Sequence, residues 1–283
     1  MLLRRILISV FSVSVLTVGP IAAWAQSAGQ APVSGASQTP APRVVDQRAL
    51  DELKLMSDTI AQAKTAKFQT LSMIPIKSSL GIWINLYGTS QVVMQGPDKL
   101  FVSAGGDFAP ADFYFDGKTV TAVSPDKNIY AVRPAPVNIN ALIEEAYRQE
   151  GKSFPFADVL ISEPYSVLTE GLINALFVGK STIDGIPTNH LAFSNANVDW
   201  QIWVGIDDHL PRLVVATYMD DTSEPSYTVE FKDWKLNEPV SEETFIFQNA
   251  SNAAKVEFRN PKSQNSGIVT ASEATKENEG AQS

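Results

Sequence analysis

The sequence predicts an α+β fold built on an antiparallel sheet with one covered face, and three features carry that expectation. A long amphipathic helix comes first, short strand-forming runs separated by reversal signals follow, and in the later runs apolar and polar residues alternate with a period of two.

The helix is "DQRALDELKLMSDTIAQAKTAK", residues 46–67, in which Ala49, Leu53, Met56, Ile60 and Ala63 recur at spacings of four and three and form one stripe. Asp46 suits the N-cap, and 22 residues would make a helix about 33 Å long. A stripe of that length needs a broad apolar surface, so Met56 and Ile60 are expected against the covered face of the sheet.

Strand-forming runs follow at Phe68–Ile76, Gly81–Leu86, Ser90–Gln95, Lys99–Ser103, Phe113–Asp116, Thr119–Val123 and Asn128–Val132. Gly96-Pro97-Asp98, Asp116-Gly117 and Ser124-Pro125-Asp126 favour reversals, so neighbouring runs should pair as antiparallel hairpins. A second helix is expected from Asn138 as N-cap, with Ile139, Leu142, Ile143, Ala146 and Tyr147 on its apolar side and Gly151 past its end. Beyond it, Pro155 and Pro164 should break "FPFADVLISEPYSVLTEG" into short pieces.

Strands resume at Ile173–Val178, Ser181–Ile183, His190–Phe193, Val198–Ile206, Leu213–Met219, Ser226–Trp234 and Thr244–Phe247. Trp200, Ile202 and Val204 share one face with Ile206, while Gln201, Trp203 and Gly205 share the other. Tyr227, Val229 and Phe231 likewise oppose Thr228, Glu230 and Lys232, as expected of a sheet with one face covered and one solvated.

Outside this region, Arg4 and Arg5, the apolar run Ile6–Val18 and Ala23-Trp24-Ala25 match the three parts of a secretory signal peptide. An apolar run of about 13 residues is shorter than the roughly 20 that span a bilayer. Residues 1–25 are therefore read as a cleaved signal, 26–43 as a flexible leader rich in Ala, Ser, Gly, Gln and Pro, 44–259 as a single domain, and 260–283 as a polar, disordered tail. After cleavage 20 basic residues face 31 acidic ones. That balance disfavours nucleic acid as a partner, and any lipid contact would have to be apolar or locally basic. The chain has no cysteine, so thiol catalysis and a lipidated N-terminal cysteine are excluded. The expected product of export is a soluble periplasmic protein with no membrane anchor.

Little in the chain points to catalysis. Gly-Lys-Ser/Thr occurs at Gly117, Gly151 and Gly179, but the glycine that a phosphate loop needs five residues earlier is Asp112, Ala146 and Asn174 respectively. His190 and His209 form no zinc spacing, and no metal or other cofactor is expected. Asp207-Asp208 and Asp220-Asp221 flank reversals, where aspartate closes turns through its own side chain. Trp83, Trp200, Trp203 and Trp234 fit either core packing or the lining of an apolar cavity under a strongly curved sheet.

"YFDGKTVTAVSPDKNIYAV" resembles a recurrent element of the bacterial lipoprotein carrier superfamily, in which a strand, an Asp-Gly turn, a strand and a proline-containing turn follow one another. The long first helix, "QGPDKLFV", "STIDGIPTNHLAF", "WQIWVGIDDHLPRLVV" and "LNEPVSEETFIF" agree in the same order, across about residues 46–258. More closely, the chain is similar to a family of exported periplasmic proteins of unassigned function that share this fold. The resemblance implies a strongly curved antiparallel sheet, an incomplete barrel, with helices covering its concave, open side and an apolar cavity between. Gly96 stands before Pro97 where the lipoprotein carrier has an arginine of its closed state, which separates this chain from that trafficking mechanism.

The expected function is that of a non-enzymatic carrier or binding protein for a lipid, an acyl chain or a lipidated partner; the alternative is an interaction scaffold of the cell envelope. Met56, Ile60, Trp200, Ile202, Val204, Tyr227, Val229 and Phe231 are the expected lining of the apolar cavity, and Trp203 should face outward. N-terminal sequencing of the exported protein should begin at Gln26; recovery of Met1 in a membrane fraction would overturn the signal-peptide reading.

Overall fold

The computed structural model describes residues 43–145, 157–219 and 226–258. Helix α1 (Gln47–Ala61) leads into a meander of β1 (Thr65–Lys77), β2 (Trp83–Gln95), β3 (Lys99–Gly106), β4 (Ala111–Phe115), β5 (Thr119–Ser124) and β6 (Ile129–Pro134). Helix α2 (Ile139–Glu145), a 3-10 turn at Ala157–Leu160 and helix α3 (Pro164–Leu168) come next. A second meander follows: β7 (Asn174–Ile183), β8 (Ile186–Ser194), β9 (Val198–Gly205), β10 (Pro211–Tyr218) and β11 (Ser226–Leu236). A 3-10 turn at Glu242–Phe245 and the short β12 (Ala254–Lys255) close the described chain.

The strands lie in the order β12-β6-β5-β4-β3-β2-β1-β11-β10-β9-β8-β7. Each meander pairs antiparallel within itself, β1 joins the two by pairing antiparallel with β11, and β12 alone runs parallel to its neighbour β6. The sheet does not close. It is an open half-barrel with helices against one face, the α+β architecture expected from the sequence.

Local chemistry fixes the reversals. The Asp116 Oδ1 accepts from the amides of Lys118 and Thr119 at 2.8 and 2.7 Å, and the Ser124 hydroxyl donates to Asp126 Oδ1 at 2.7 Å. "YFDGKTVTAVSPDKNIYAV" is thus the end of β4 followed by β5 and β6 with their connecting turns. Asp208 closes the β9–β10 reversal by accepting from the Leu210 amide at 3.1 Å and pairing with Arg212. Asp220-Asp221 lies outside the described residues.

Helix α1 starts as expected, with Asp46 accepting from the Arg48 amide at 3.0 Å. It rests over β7, β8 and β9, and Ala49, Leu53, Met56 and Ile60 are all buried there. It is shorter than the sequence suggests, 15 residues and about 22 Å. From Thr65 the period changes to two and Ala66 and Phe68 turn inward; the start of β1 is held by the Lys64 amide donating to Asn237 Oδ1 at 2.8 Å.

Other expected elements change for identifiable reasons. Trp83–Leu86 and Ser90–Gln95 belong to one strand, β2, with Gly81 and Ile82 left in the turn before it; the strand contains Gly88, where a side chain would collide with Ser72 Oγ and Phe108. Ile173–Val178 and Ser181–Ile183 are likewise one strand, with a bulge between Phe177 and Gly179, whose φ of 152° suits glycine. Pro164 opens α3, in the first turn where its missing N–H costs nothing. Thr244–Phe247 forms no strand: Ser241 caps a 3-10 turn there, and Phe245 is buried. Asn138 does cap α2, accepting from the Ala141 amide at 2.9 Å. Ala146, Tyr147, Gly151 and Pro155 lie outside the described residues.

The opposite face is partly covered as well. Phe101, Tyr114 and Tyr130 form an aromatic row there, and Phe247 packs on the two tyrosines with centroids 5.6 and 5.0 Å apart. Trp203 lies on this outer face further along, half-buried and stacked on His190 at 3.9 Å.

Replacing Ile60, 2% exposed, with Asp should cost about 3–5 kcal/mol in urea unfolding, the penalty of an unpaired buried charge. A loss under about 0.5 kcal/mol, normal for a surface site, would show that the helix is turned the other way.

Candidate functional site

The inner face of the half-barrel is filled unevenly, and the register of its strands shows why. One row across the sheet runs Phe68, Val92, Val102 and Phe113, and another runs Met94, Leu100, Phe115 and Val120. The next row inward contains Thr70, Ser90, Ala104 and Ala111, and the one beyond it Ser72, Gly88 and Gly106. Side chains shrink along β1–β4, so the sheet there cannot fill its own concavity. On the other side of the sheet Ala175, Phe193, Trp200 and Ala216 make a row, with Leu191, Ile202 and Val214 beside it, and α1 lies over β7, β8 and β9. The side chains of that half are buried, with Phe193 stacked on Trp200 at 4.3 Å.

Where the small rows begin there is a cavity of about 100 Å³. Its floor is Phe68, Thr70, Val92, Val102 and Phe113, with Val229 and Phe231 contributed by β11. Its cover is Leu142 and Ile143 of α2 and Ala157 and Val159 of the 3-10 turn, while Arg133 and Phe258 also border it. The Arg133 guanidinium bonds the Glu145 carboxylate at 3.0 Å and lies 5.2 Å from the Phe258 ring centre. Arg133 thereby clasps the end of α2 to β6. The remaining polar atoms of the lining come chiefly from the hydroxyls of Thr70, Ser72 and Ser90. Among the described residues no cluster of His, Asp and Glu is arranged to hold a metal ion.

The family profile described as "Predicted periplasmic protein (DUF2092)" matches residues 49–259, which takes in both meanders and the cover of the cavity. The chain belongs to this family. No curated protein matches the sequence. Among solved structures, LprF from Mycobacterium bovis is similar at 11% identity, over 70% of this chain and 97% of that one, with a TM-score of 0.45. The lipoprotein LppX from Mycobacterium tuberculosis is similar at 16% identity, over 69% and 98%, with a TM-score of 0.38. MucB from Pseudomonas aeruginosa, solved with MucA, is similar at 13% identity, over 71% and 61%, with a TM-score of 0.39, so this chain spans about 61% of that length. A LolA superfamily protein from Nitrosomonas europaea is also similar, at 10% identity, over 70% and 97%, with a TM-score of 0.33. The family is the one that the sequence resembles.

The structure separates the eight residues that alternation marks as a lining. Val229 and Phe231 line the cavity of this DUF2092 domain. Met56, Trp200, Ile202 and Val204 are buried in the filled half, and Tyr227 is buried with its ring edge-on to Tyr218 at 5.2 Å. Ile60 borders a separate cleft of about 360 Å³ where the end of α1 meets Pro97 and the start of α2. The residues that sequence reasoning passed over, Phe68, Thr70, Val92, Val102, Phe113 and Arg133, lie in the first meander. Their inward phase mixes Phe and Val with Thr and Ser, so alternation marks it weakly.

Asp158, between the cover residues Ala157 and Val159, has one carboxylate oxygen enclosed without a hydrogen-bond partner. Burial raises its pKa from the ordinary carboxylate value to about 6. The native state then binds the proton more tightly than the unfolded chain, so Asp158 lowers stability as pH rises from about 4 to about 6 and by a constant amount above that. Asp158→Asn should raise the melting temperature at pH 7.5 and leave it nearly unchanged at pH 3.5. Equal shifts at both pH values would show that the carboxyl is not desolvated.

Proposed function

We propose that this protein is a periplasmic carrier or binding protein that takes the apolar end of a lipid, an acyl chain or a lipidated partner into the cavity between β1–β5 and the α2 cover. The observation that carries the reading is the contrast between two halves of one sheet, one with its buried side chains under α1 and the other with a cavity over an apolar floor. An unfilled apolar concavity loses dispersion contacts and is tolerated at a cost in stability, which a bound hydrocarbon would recover. The residues proposed to hold the ligand are Phe68, Val92, Val102, Phe113, Val229 and Phe231. The enclosed space is smaller than the ~150 Å³ that takes up benzene in an engineered core, so a longer chain requires α2 and the 3-10 turn to move outward. Leu142 and Ile143 are the side chains such a motion would shift, and the Arg133–Glu145 pair is the contact it would break.

The small volume also favours a second reading, in which the half-barrel is a scaffold for another envelope protein and the cavity is a packing remnant. Both readings are non-enzymatic and follow export by the predicted signal peptide. Titration with a fluorescent fatty acid separates them. Val102→Trp, which fills the floor, should weaken binding by about tenfold or more, and Trp203→Phe on the outer face should leave it unchanged. Binding unaffected by Val102→Trp, or no binding by the wild type, would decide for the scaffold.

A further inference from the structure

Among the described residues the β1–β2 hairpin reaches past the rest of the sheet. β1 stays paired with β11 only as far as Met73, opposite Thr228, and β2 stays paired with β3 only as far as Gly88, opposite Gly106. Beyond these points Ile74–Lys77 and Trp83–Leu86 pair with each other and, among the described residues, with no other strand, an extension of about 13 Å before the connecting turn. Such an extension of a protein with an acidic surface would ordinarily be polar. Instead, Leu80 is 83% exposed and Ile82 59%, and Trp83, Ile84 and Tyr87 are also exposed. An apolar cluster of this kind on one projecting element marks a contact surface.

Two further observations identify what it contacts. The first is charge. From residue 59 to residue 97 the chain has no acidic side chain, within a protein of net charge −9; of the three lysines there only Lys77 is on the extension, while Lys64 and Lys67 lie at the far end of β1, where Lys67 pairs with Glu238 at 3.6 Å. Asp107, beside the base of the hairpin, is engaged by the Tyr87 amide at 2.8 Å. The extension thus combines exposed apolar side chains with a single cation, Lys77, and carries no acidic residue of its own. The second is the arrangement of the tip. Lys77 Nζ lies 5.8 Å from the Trp83 ring centre, placing an amphipathic ring and a flexible ammonium side by side just behind Leu80 and Ile82. That pairing suits a membrane interface, where the ring sits at headgroup depth and the lysine reaches back to phosphate. The turn also satisfies its own backbone: the Ser78 amide donates to Ile82 O, the Gly81 amide to Ser78 O, and the Ile82 amide to Ser78 Oγ, at 2.9, 2.9 and 3.1 Å. Hence the tip can leave water without orphaning these groups.

We propose that the β1–β2 hairpin docks this protein reversibly on a lipid bilayer, inserting Leu80, Ile82, Trp83 and Ile84 at the interface with Lys77 at the level of the phosphates. The inference does not rest on the cavity reading. A few side chains at interfacial depth give weak, reversible attachment, strengthened by anionic lipid.

The test is cosedimentation of the exported, mature chain with phosphatidylcholine vesicles, with and without one part in three of phosphatidylglycerol. The wild type should sediment, and more strongly with the anionic lipid. Leu80→Asp with Ile82→Asp should weaken attachment by more than about tenfold, and Lys77→Glu should abolish the preference for phosphatidylglycerol. Lipids brominated along the chain should quench the wild type and not Trp83→Phe, a readout available even if the double variant is unstable. Fatty-acid titration of the double variant should match the wild type, which separates this proposal from the cavity reading. Absence of sedimentation, sedimentation unchanged by the double substitution, or quenching retained in Trp83→Phe would each overturn the proposal. So would a dimer in sedimentation velocity that the double variant dissolves while vesicle binding is absent, since the hairpin would then belong to a second copy.

Discussion

The pairing of β1 with β11 is the constraint on which the rest of this structure depends. Each meander can form from local hairpins, but the described chain becomes one sheet only where Ala66 meets Leu236 and Met73 meets Thr228. A bulge between Lys67 and Gln69 marks the seam, and Phe68 sits there stacked on Trp234 at 4.2 Å, with Phe231 at 5.9 Å. The Trp234 indole donates to the Pro211 carbonyl at 2.9 Å, which ties the same point to β10. Phe68 and Phe231 are also cavity residues. The contact that joins the halves is therefore part of the site.

Joining the halves leaves an inner face wider than one helix can cover. Helix α1 packs over β7–β9, anchored at its start by the Asp46 amide donating to the Ala175 carbonyl at 2.8 Å. Burial of its stripe is paid back there, and among the described residues no helix of comparable length reaches β1–β5. Among the described residues those strands are covered by α2 and a 3-10 turn. The Arg133–Glu145 pair joins this cover to the sheet as an ion pair with both partners largely withdrawn from solvent.

Charge divides the molecule in a second way. Acidic side chains are concentrated outside the first two strands, and those at reversals act locally, as Asp116 and Asp208 do. The acid-free stretch coincides with the strands that form both the seam and the projecting hairpin. One continuous element thus links the cavity floor, through Phe68, Thr70 and Ser72, to the apolar tip at Leu80.

The sequence by itself determined the antiparallel α+β class, the Asp46 and Asn138 caps, the inward phase of β9 and β11 and the turns at Asp116 and Ser124. These are local matters of period and turn chemistry, readable without knowing which strands are neighbours. Where α1 ends, that Gly88 and Gly179 lie within strands, and that residues 244–247 pack as a turn on the outer face all depended on contacts between distant segments. The candidate site depended on them most. Trp200, Ile202 and Val204 alternate more clearly than Phe68, Thr70 and Ser72, yet burial under α1 or beneath a cavity leaves the same apolar period in a strand. Which of them stays open was decided by the register that lines up Thr70, Ser90, Ala104 and Ala111, because only neighbouring strands reveal a row of side chains too small to fill the space above them.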